Sequence, residues 1–220
     1  MSCPIPTAAF HITPIENLGK IALSGALYSK QELAHRNLAP ANISYDHIQE
    51  RRAIRPVPIP PGGTLHDYVP FNFAPRSPML DTINHGNVPN CPHRQQDIAH
   101  LVVKAQRIAE SGRPFVFTNI HAVLGLADFF GDLKDLEKIN WSIFFENPTL
   151  AGYCKYYFSS HTNAKYATRR ETRQAEFLVH TAVPIDLIEG IGVIDVNAQA
   201  LVKAQLENTG WNPPVEVVRD

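Results

Sequence analysis

"RQAEFLVH", Arg173 to His180, alternates as a β-strand does: Ala175, Phe177 and Val179 fall on one face, and Gln174, Glu176, Leu178 and His180 on the other. The first face is wholly apolar, as the side of a strand turned to a core should be. The second opens with an amide and a carboxylate, then turns apolar. Acids are seldom buried without a partner. Glu176 therefore marks either a strand end emerging into solvent or the floor of a site, and the fold and the chemistry both turn on which.

Working outward, "AAFHIT" (8–13) is a short strand, and Pro14 can start a helix through Leu18 and Ile21 that stops at Gly25. "YDHIQERRAI" (45–54) reads as another helix. Seven prolines and the pair Gly62-Gly63 between Pro56 and Pro78 predict an extended loop with little regular structure. Strands are expected at "DIAHLVV" (97–103) and "RPFVFTN" (113–119), and helices at "KAQRIAESG" (104–112) and "FFGDLKDLEKI" (129–139). Residues 141–172 show weak periodicity. Beyond "AEFLV" come helix "PIDLIEG" (184–190), strand "IGVIDV" (191–196), helix "NAQALVKAQLEN" (197–208) and strand "PVEVV" (214–218). Strands and helices mix without strict βαβ alternation, which predicts α+β. No repeat or composition break divides the chain, so residues 1–220 are expected as one domain.

Composition excludes several classes. The net charge of −1 gives no global field toward nucleic acid or membrane, so a polyanion site must be local. Cys3, Cys91 and Cys154 are widely spaced and odd in number, forming neither a disulfide framework nor a zinc pair. A reducing cytoplasm is expected, with no membrane partner, since no run approaches the roughly 18 apolar residues of a span. The nearest approach to a dinucleotide fingerprint, "GIGVID", has Asp195 in the third glycine's place, and there is neither a phosphate loop nor a nucleophile elbow. None of the ten histidines pairs with another in a ligating pattern, so no metal is implied.

Two clusters survive. Between Tyr153 and Gln174, Tyr156, Tyr157, Phe158 and Tyr166 interleave with Lys155, Lys165, Arg169, Arg170 and Arg173, against Glu171 alone. Rings for bases and cations for phosphates are what a single nucleic-acid strand asks for, although a solvated loop with core-capping tyrosines reads equally well. Arg51, Arg52 and Arg55 suit a pyrophosphate, or simply an exposed helical face partnered by Glu50. His11 and Thr13 read as a capping arrangement by spacing alone.

Together, "FHITPIENL", "YDHIQERR", "PPGGTLHDYVPF", "APRSPML", "PFVFTNIHAVL" and "RQAEFLVH" make the chain resemble the DarT family of DNA ADP-ribosyltransferase toxins. The resemblance implies an ADP-ribosyltransferase-like split sheet, NAD as co-substrate, and transfer of ADP-ribose to a base of single-stranded DNA, which in the better-matching branch of the family is thymidine, joined through a ring nitrogen. It places the catalytic Gln-x-Glu motif on Gln174 and Glu176 and the second essential residue on Arg52. His11, Ile12 and Thr13 match the segment at the nicotinamide end, and Asn17, Leu27, Arg52 and His121 are also assigned to NAD. Residues 30–52 match an element closing over NAD. The acceptor strand is assigned to Gln174, Arg76, Ser77, Pro78, Met79, Tyr156, Tyr157, Arg169, Arg170 and Arg173. A macrodomain antitoxin is the implied partner. An NAD glycohydrolase, or a silent DNA- or protein-binding module, are the rival readings.

Leaving nicotinamide creates an oxocarbenium-like sugar, which a carboxylate stabilises. Glu176 is expected in that role, Gln174 at the incoming base, and Arg52 against the anionic base or the NAD phosphates, since a guanidinium scarcely deprotonates.

Overall fold

Eight strands line up in one sheet, and a weak seam divides it. The computed structural model describes residues 2–156 and 158–218. In chain order the elements are β1 (Ala8–Pro14), α1 (Leu18–Ser24), β2 (Ala26–Tyr28), α2 (Lys30–His35), α3 (Asp46–Ile54), β3 (Tyr68–Asn72), α4 (Pro78–Asn84), β4 (Ile98–Lys104), α5 (Ala105–Glu110), β5 (Phe115–Thr118) and β6 (Phe129–Phe130). They continue with β7 (Thr149–Leu150), β8 (Tyr153–Cys154), α6 (Arg169–Thr172), β9 (Glu176–His180), β10 (Ala182–Pro184), β11 (Gly190–Val193), α7 (Val196–Leu206) and β12 (Val215–Val217). The sheet order is β12-β11-β4-β1-β3-β9-β5-β6, with β2–β10 and β7–β8 as separate pairs. The architecture is α+β.

β1 and β4 pair along seven residues, whereas β1 meets β3 only at Phe10 opposite Asn72. The sheet is thus split into two halves held by one residue pair. His11 bridges the gap with its side chain, its Nδ1 lying 2.8 Å from the Pro70 carbonyl.

Opposed residues share a sheet face, and the register assigns each face a task. On one, Ala9, Phe71, Leu101, Phe117, Phe177 and Val179 form the main core with Leu18 of α1, Ile108 of α5, Val202 of α7 and Trp141. Each fully buried valine, leucine, isoleucine or phenylalanine among them contributes about 1.5–3 kcal/mol. On the other face, Tyr68, Val116 and Leu178 pack with Val57, Leu65 and Ala122. β9 is therefore covered on both sides, and Glu176 through Val179 are all buried. Caps fix the helices: the Asp195 side chain accepts from Ala198 N at 2.8 Å, and Gly25 ends α1 at φ +74°. Among the described residues no helix is long and apolar enough to cross a membrane.

The structure corrects four expectations. The strand at "RQAEFLVH" begins at Glu176; Arg173 is the C-cap of α6, and Gln174 lies in the turn that follows. The proline-rich stretch contains β3, with Pro70 inside it. Pro70 lacks an N–H, but β3 has parted from β1 there, and the Pro70 carbonyl takes His11 instead. Residues 129–139 form β6 and a 3-10 turn rather than a helix, and "PIDLIEG" holds only a 3-10 turn, Ile185–Leu187.

Candidate active site

Glu176 stands at the first position of β9, opposite Asn72, at the edge of the seam. α3 brings a cation to it. Asp46 in the first turn and Arg51 and Arg52 in the last suit the helix dipole, and Arg52 is the buried residue of this otherwise solvated helix. Arg52 Nη1 donates to both carboxylate oxygens of Glu176, at 3.1 Å to Oε1 and 2.9 Å to Oε2. The loop after β5 supplies a second donor and a third contact, the backbone N–H of Ala122, 3.1 Å from Oε1. Three contacts from a guanidinium nitrogen and a backbone N–H, converging on one carboxylate, suit an anion.

Thr118, fully buried at the end of β5, shapes this loop. Its hydroxyl accepts from Glu176 N–H at 3.2 Å and donates to the Ile120 carbonyl at 2.6 Å. Neither Thr118 nor the Ala122 N–H was marked by the sequence reading. The signal available was position, since Thr118 closes the strand "FVFT" next to the motif strand.

His121 Nε2 lies 3.7 Å from Glu176 Oε1, beyond hydrogen-bond range. Burial pulls its pKa below the usual 6.5; Glu176 opposes this, and Arg52, Arg51 and Arg170 add to the lowering. The imidazole is neutral at pH 7.

Two capacities remain open here. Among the described residues Glu176 Oε2 accepts only from Arg52, and Arg52 Nη2 is buried without a partner. A spare acceptor beside an orphaned donor fits a ligand presenting both a hydroxyl and an acceptor oxygen, as NAD does. No group of three or more metal-ligating side chains occurs among the described residues.

The remaining expected residues are placed less uniformly. The Asn17 amide donates to Thr13 Oγ1 at 3.2 Å and to the Ala41 carbonyl at 3.0 Å, and accepts from Ala41 N at 2.9 Å. It thereby holds the chain between α2 and α3 down on β1. Ile12 faces the cluster of Leu80, Ile83, Val88 and Ile98, which Met79 also borders. Ser77 caps α4, accepting from Leu80 N at 3.2 Å, with Pro78 at its first turn. Tyr156 and Arg170 are exposed. Arg169 is bound to Glu146 at 3.3 Å and lies over the Tyr166 ring at 3.5 Å. Tyr157 lies outside the described residues.

Three further residues lie in surroundings that the strand pattern does not foretell, and for Arg173 burial overturns its assignment to the DNA. Leu27, assigned to NAD, is buried in the main core. Arg173 is 0% exposed, donating to the Ile143 carbonyl at 3.1 Å, so it underpins the loop instead of facing a strand of DNA. Gln174 turns its amide to the Arg170 carbonyl at 3.0 Å, because the helix end, not a pleat, sets its direction.

The profile of the DarT family, described as ssDNA thymidine ADP-ribosyltransferase, matches residues 10–220. The chain belongs to the DarT family. A DNA ADP-ribosyl transferase of Thermus aquaticus (strain ATCC BAA-2747 / Y51MC23) is 40% identical over 223 residues, covering 100% of this chain and 90% of that protein. The DarT of Thermus sp. 2.9 in complex with ADP-ribosylated ssDNA superposes with a TM-score of 0.85 at 38% identity, over 99% of this chain and 96% of that one. Its complex with NAD+ gives 0.80 at 36% identity, over 97% and 96%. DarT membership carries the reaction class with it: an NAD-dependent transfer of ADP-ribose to DNA.

Proposed function

We propose that the protein, acting as one domain over residues 1–220, moves ADP-ribose from NAD onto thymidine in single-stranded DNA and releases nicotinamide. The observation that carries this reading is the buried Arg52–Glu176 pair at the seam of the split sheet. As the bond from ribose to nicotinamide breaks, its electron pair leaves with nicotinamide. Glu176, held as an anion, takes the ribose hydroxyl on its spare lone pair and offsets the positive charge on the sugar. The thymine ring nitrogen bonds to the same carbon and loses its proton to solvent. Arg52 keeps its own proton and steadies negative charge on the base or on NAD through Nη2.

His11, Thr13 and Asn17 lie on the strand and turn that border NAD in this reading, and Arg76, Arg170 and Tyr156 meet the acceptor. An enzyme that marks DNA in its own cytoplasm needs reversal, so the partner is a macrodomain antitoxin that removes ADP-ribose. The test is mass spectrometry of mixed-sequence oligonucleotides after incubation with NAD. A gain of one ADP-ribose on thymidine is expected. Nicotinamide release with no change in any oligonucleotide overturns the acceptor and leaves a hydrolase.

A further inference from the structure

The register that places Glu176 opposite Asn72 continues across the seam. Asn72 faces Phe10, Phe10 faces Val102, and Val102 faces Gly190. All five therefore project from the same sheet face in one row. Glu176 ends the row on one side. On the other, the row runs into a cavity of about 400 Å³ that no assigned residue except Arg76 lines. With strands about 4.8 Å apart, Phe10 lies roughly 10 Å from Glu176 along the sheet.

The cavity has ring faces and cations. Phe10 and Tyr153 meet edge to face at 5.9 Å, and both are only half-buried. Val102 forms part of the floor, while Arg76 and Lys104 stand at its margins. Glu189, which also lines it, is paired with Arg107 at 2.9 Å, leaving Glu216 at the far strand as the lining acid without an ion pair among the described residues. Tyr153 leads directly into the exposed Lys155 and Tyr156.

β11 shows how the depth arises. Ile191 and Val193 enter the main core, but both residues on the cavity face are glycine. Neither Gly190 nor Gly192 has a positive φ. A Cβ at Gly192 would meet only ordinary contacts, 3.7 Å from His100 Cβ and from Val218 Cγ2. Backbone geometry does not require glycine there, and glycine weakens a strand. What its absent side chain provides is room.

Resting on the acceptor reading above, we propose that this trough holds a nucleobase of the same DNA strand that flanks the modified thymidine, stacked against Phe10 and Tyr153 with its phosphates near Arg76 and Lys104. It makes the trough a determinant of sequence context, two strands away from the chemistry.

The test uses oligonucleotides with a single thymidine and one abasic position moved stepwise to either side. Stacking of one base is worth about 1–3 kcal/mol, or roughly 5- to 150-fold. In the unaltered protein, one or two abasic positions should lower transfer within that range. Gly192→Val fills the trough with a better strand former, and Phe10→Ser removes a ring; thermal unfolding checks that each folds. In both variants the intact oligonucleotide should react as slowly as the abasic one, and the abasic position should add no further loss. An unchanged abasic penalty in Gly192→Val overturns the proposal, as does a uniform response at every flanking position. Absence of transfer to any oligonucleotide by the unaltered protein instead removes the acceptor reading, and the trough's role with it.

Discussion

Arg52 and Glu176, 124 residues apart in sequence, share one short forked contact, with the single nitrogen Nη1 at 3.1 and 2.9 Å from the two oxygens. Both side chains are almost fully enclosed, at 8% and 5% exposure. A buried pair of this kind contributes little net stability, because desolvation offsets attraction, yet removing one member strands the other. Arg52→Ala should cost about 3–5 kcal/mol, read by urea denaturation, because Glu176 is left with only the Ala122 N–H. A loss under about 1 kcal/mol would mean that the carboxylate is solvated in solution, contrary to this packing.

Glu176→Gln keeps the shape and loses the charge. Transfer should fall by about 10²- to 10³-fold, the usual cost of deleting one stabiliser of developing charge. NAD affinity, measured by calorimetry, should change far less. Near-normal turnover would remove the carboxylate from the mechanism.

Thr118 acts through Glu176 and the loop that carries Ala122, so it is a positioning residue. Thr118→Val retains volume but leaves Glu176 N and the Ile120 carbonyl without their hydroxyl, about 1–3 kcal/mol of buried polar deficit. The expected signature is a lowered kcat with little change in KM for NAD, restored in Thr118→Ser. Failure of serine to rescue would assign the effect to packing alone.

What was legible in the sequence follows from how local each signal is. Apolar alternation locates β1, β4, β5 and β11, because that signal lies within each strand, although their partners are far away in sequence. Gly25 and Gly112 marked helix ends, where both have positive φ. β3 was hidden because Pro70 reads as a strand breaker, and only the parting of β1 from β3, a long-range feature, makes it tolerable. Gln174 falls outside the strand because α6 extends to the residue before Arg173, and a two-residue periodicity cannot register a helix end. Glu176 stands out as an acid in an apolar strand and Arg52 as one of three clustered arginines, but only the family resemblance joins them, since no spacing rule relates positions so far apart. Thr118 escaped for the same reason, its partners being set by sheet pairing.

The cations numbered between 155 and 172 are not equivalent. Lys165 pairs with Glu146, and Arg169 is held by Glu146 and Tyr166, while Arg170 is exposed. Arg170→Ala should therefore reduce the slope of log affinity against log salt by about 0.7, the value for one phosphate of a single strand. Arg169→Ala should mainly lower the melting temperature. Fluorescence anisotropy across a salt series separates them, and an unchanged slope for Arg170→Ala would place the DNA elsewhere.

Stability should depend on pH through three histidines. His11, His66 and His121 all have pKa values below the ordinary 6.5, with burial the first cause in each. Around His11 the Pro70 carbonyl opposes the shift and His100 adds to it; around His66, Arg52 and Lys30 add to it, while Asp67 and Gln49 oppose it. A lowered pKa means that the unfolded chain binds more protons than the folded one in this range, so stability rises with pH. The contribution is complete above 6.5 and is lost as pH falls from there toward the folded values. The melting temperature should drop between about pH 7.5 and about 5.5, before most carboxylates titrate. His11→Asn keeps a donor for Pro70 without a titrating ring, and its profile should be shallower. A melting temperature that holds or rises on acidification, or an unaltered slope in His11→Asn, would show that these rings are not the proton-linked groups.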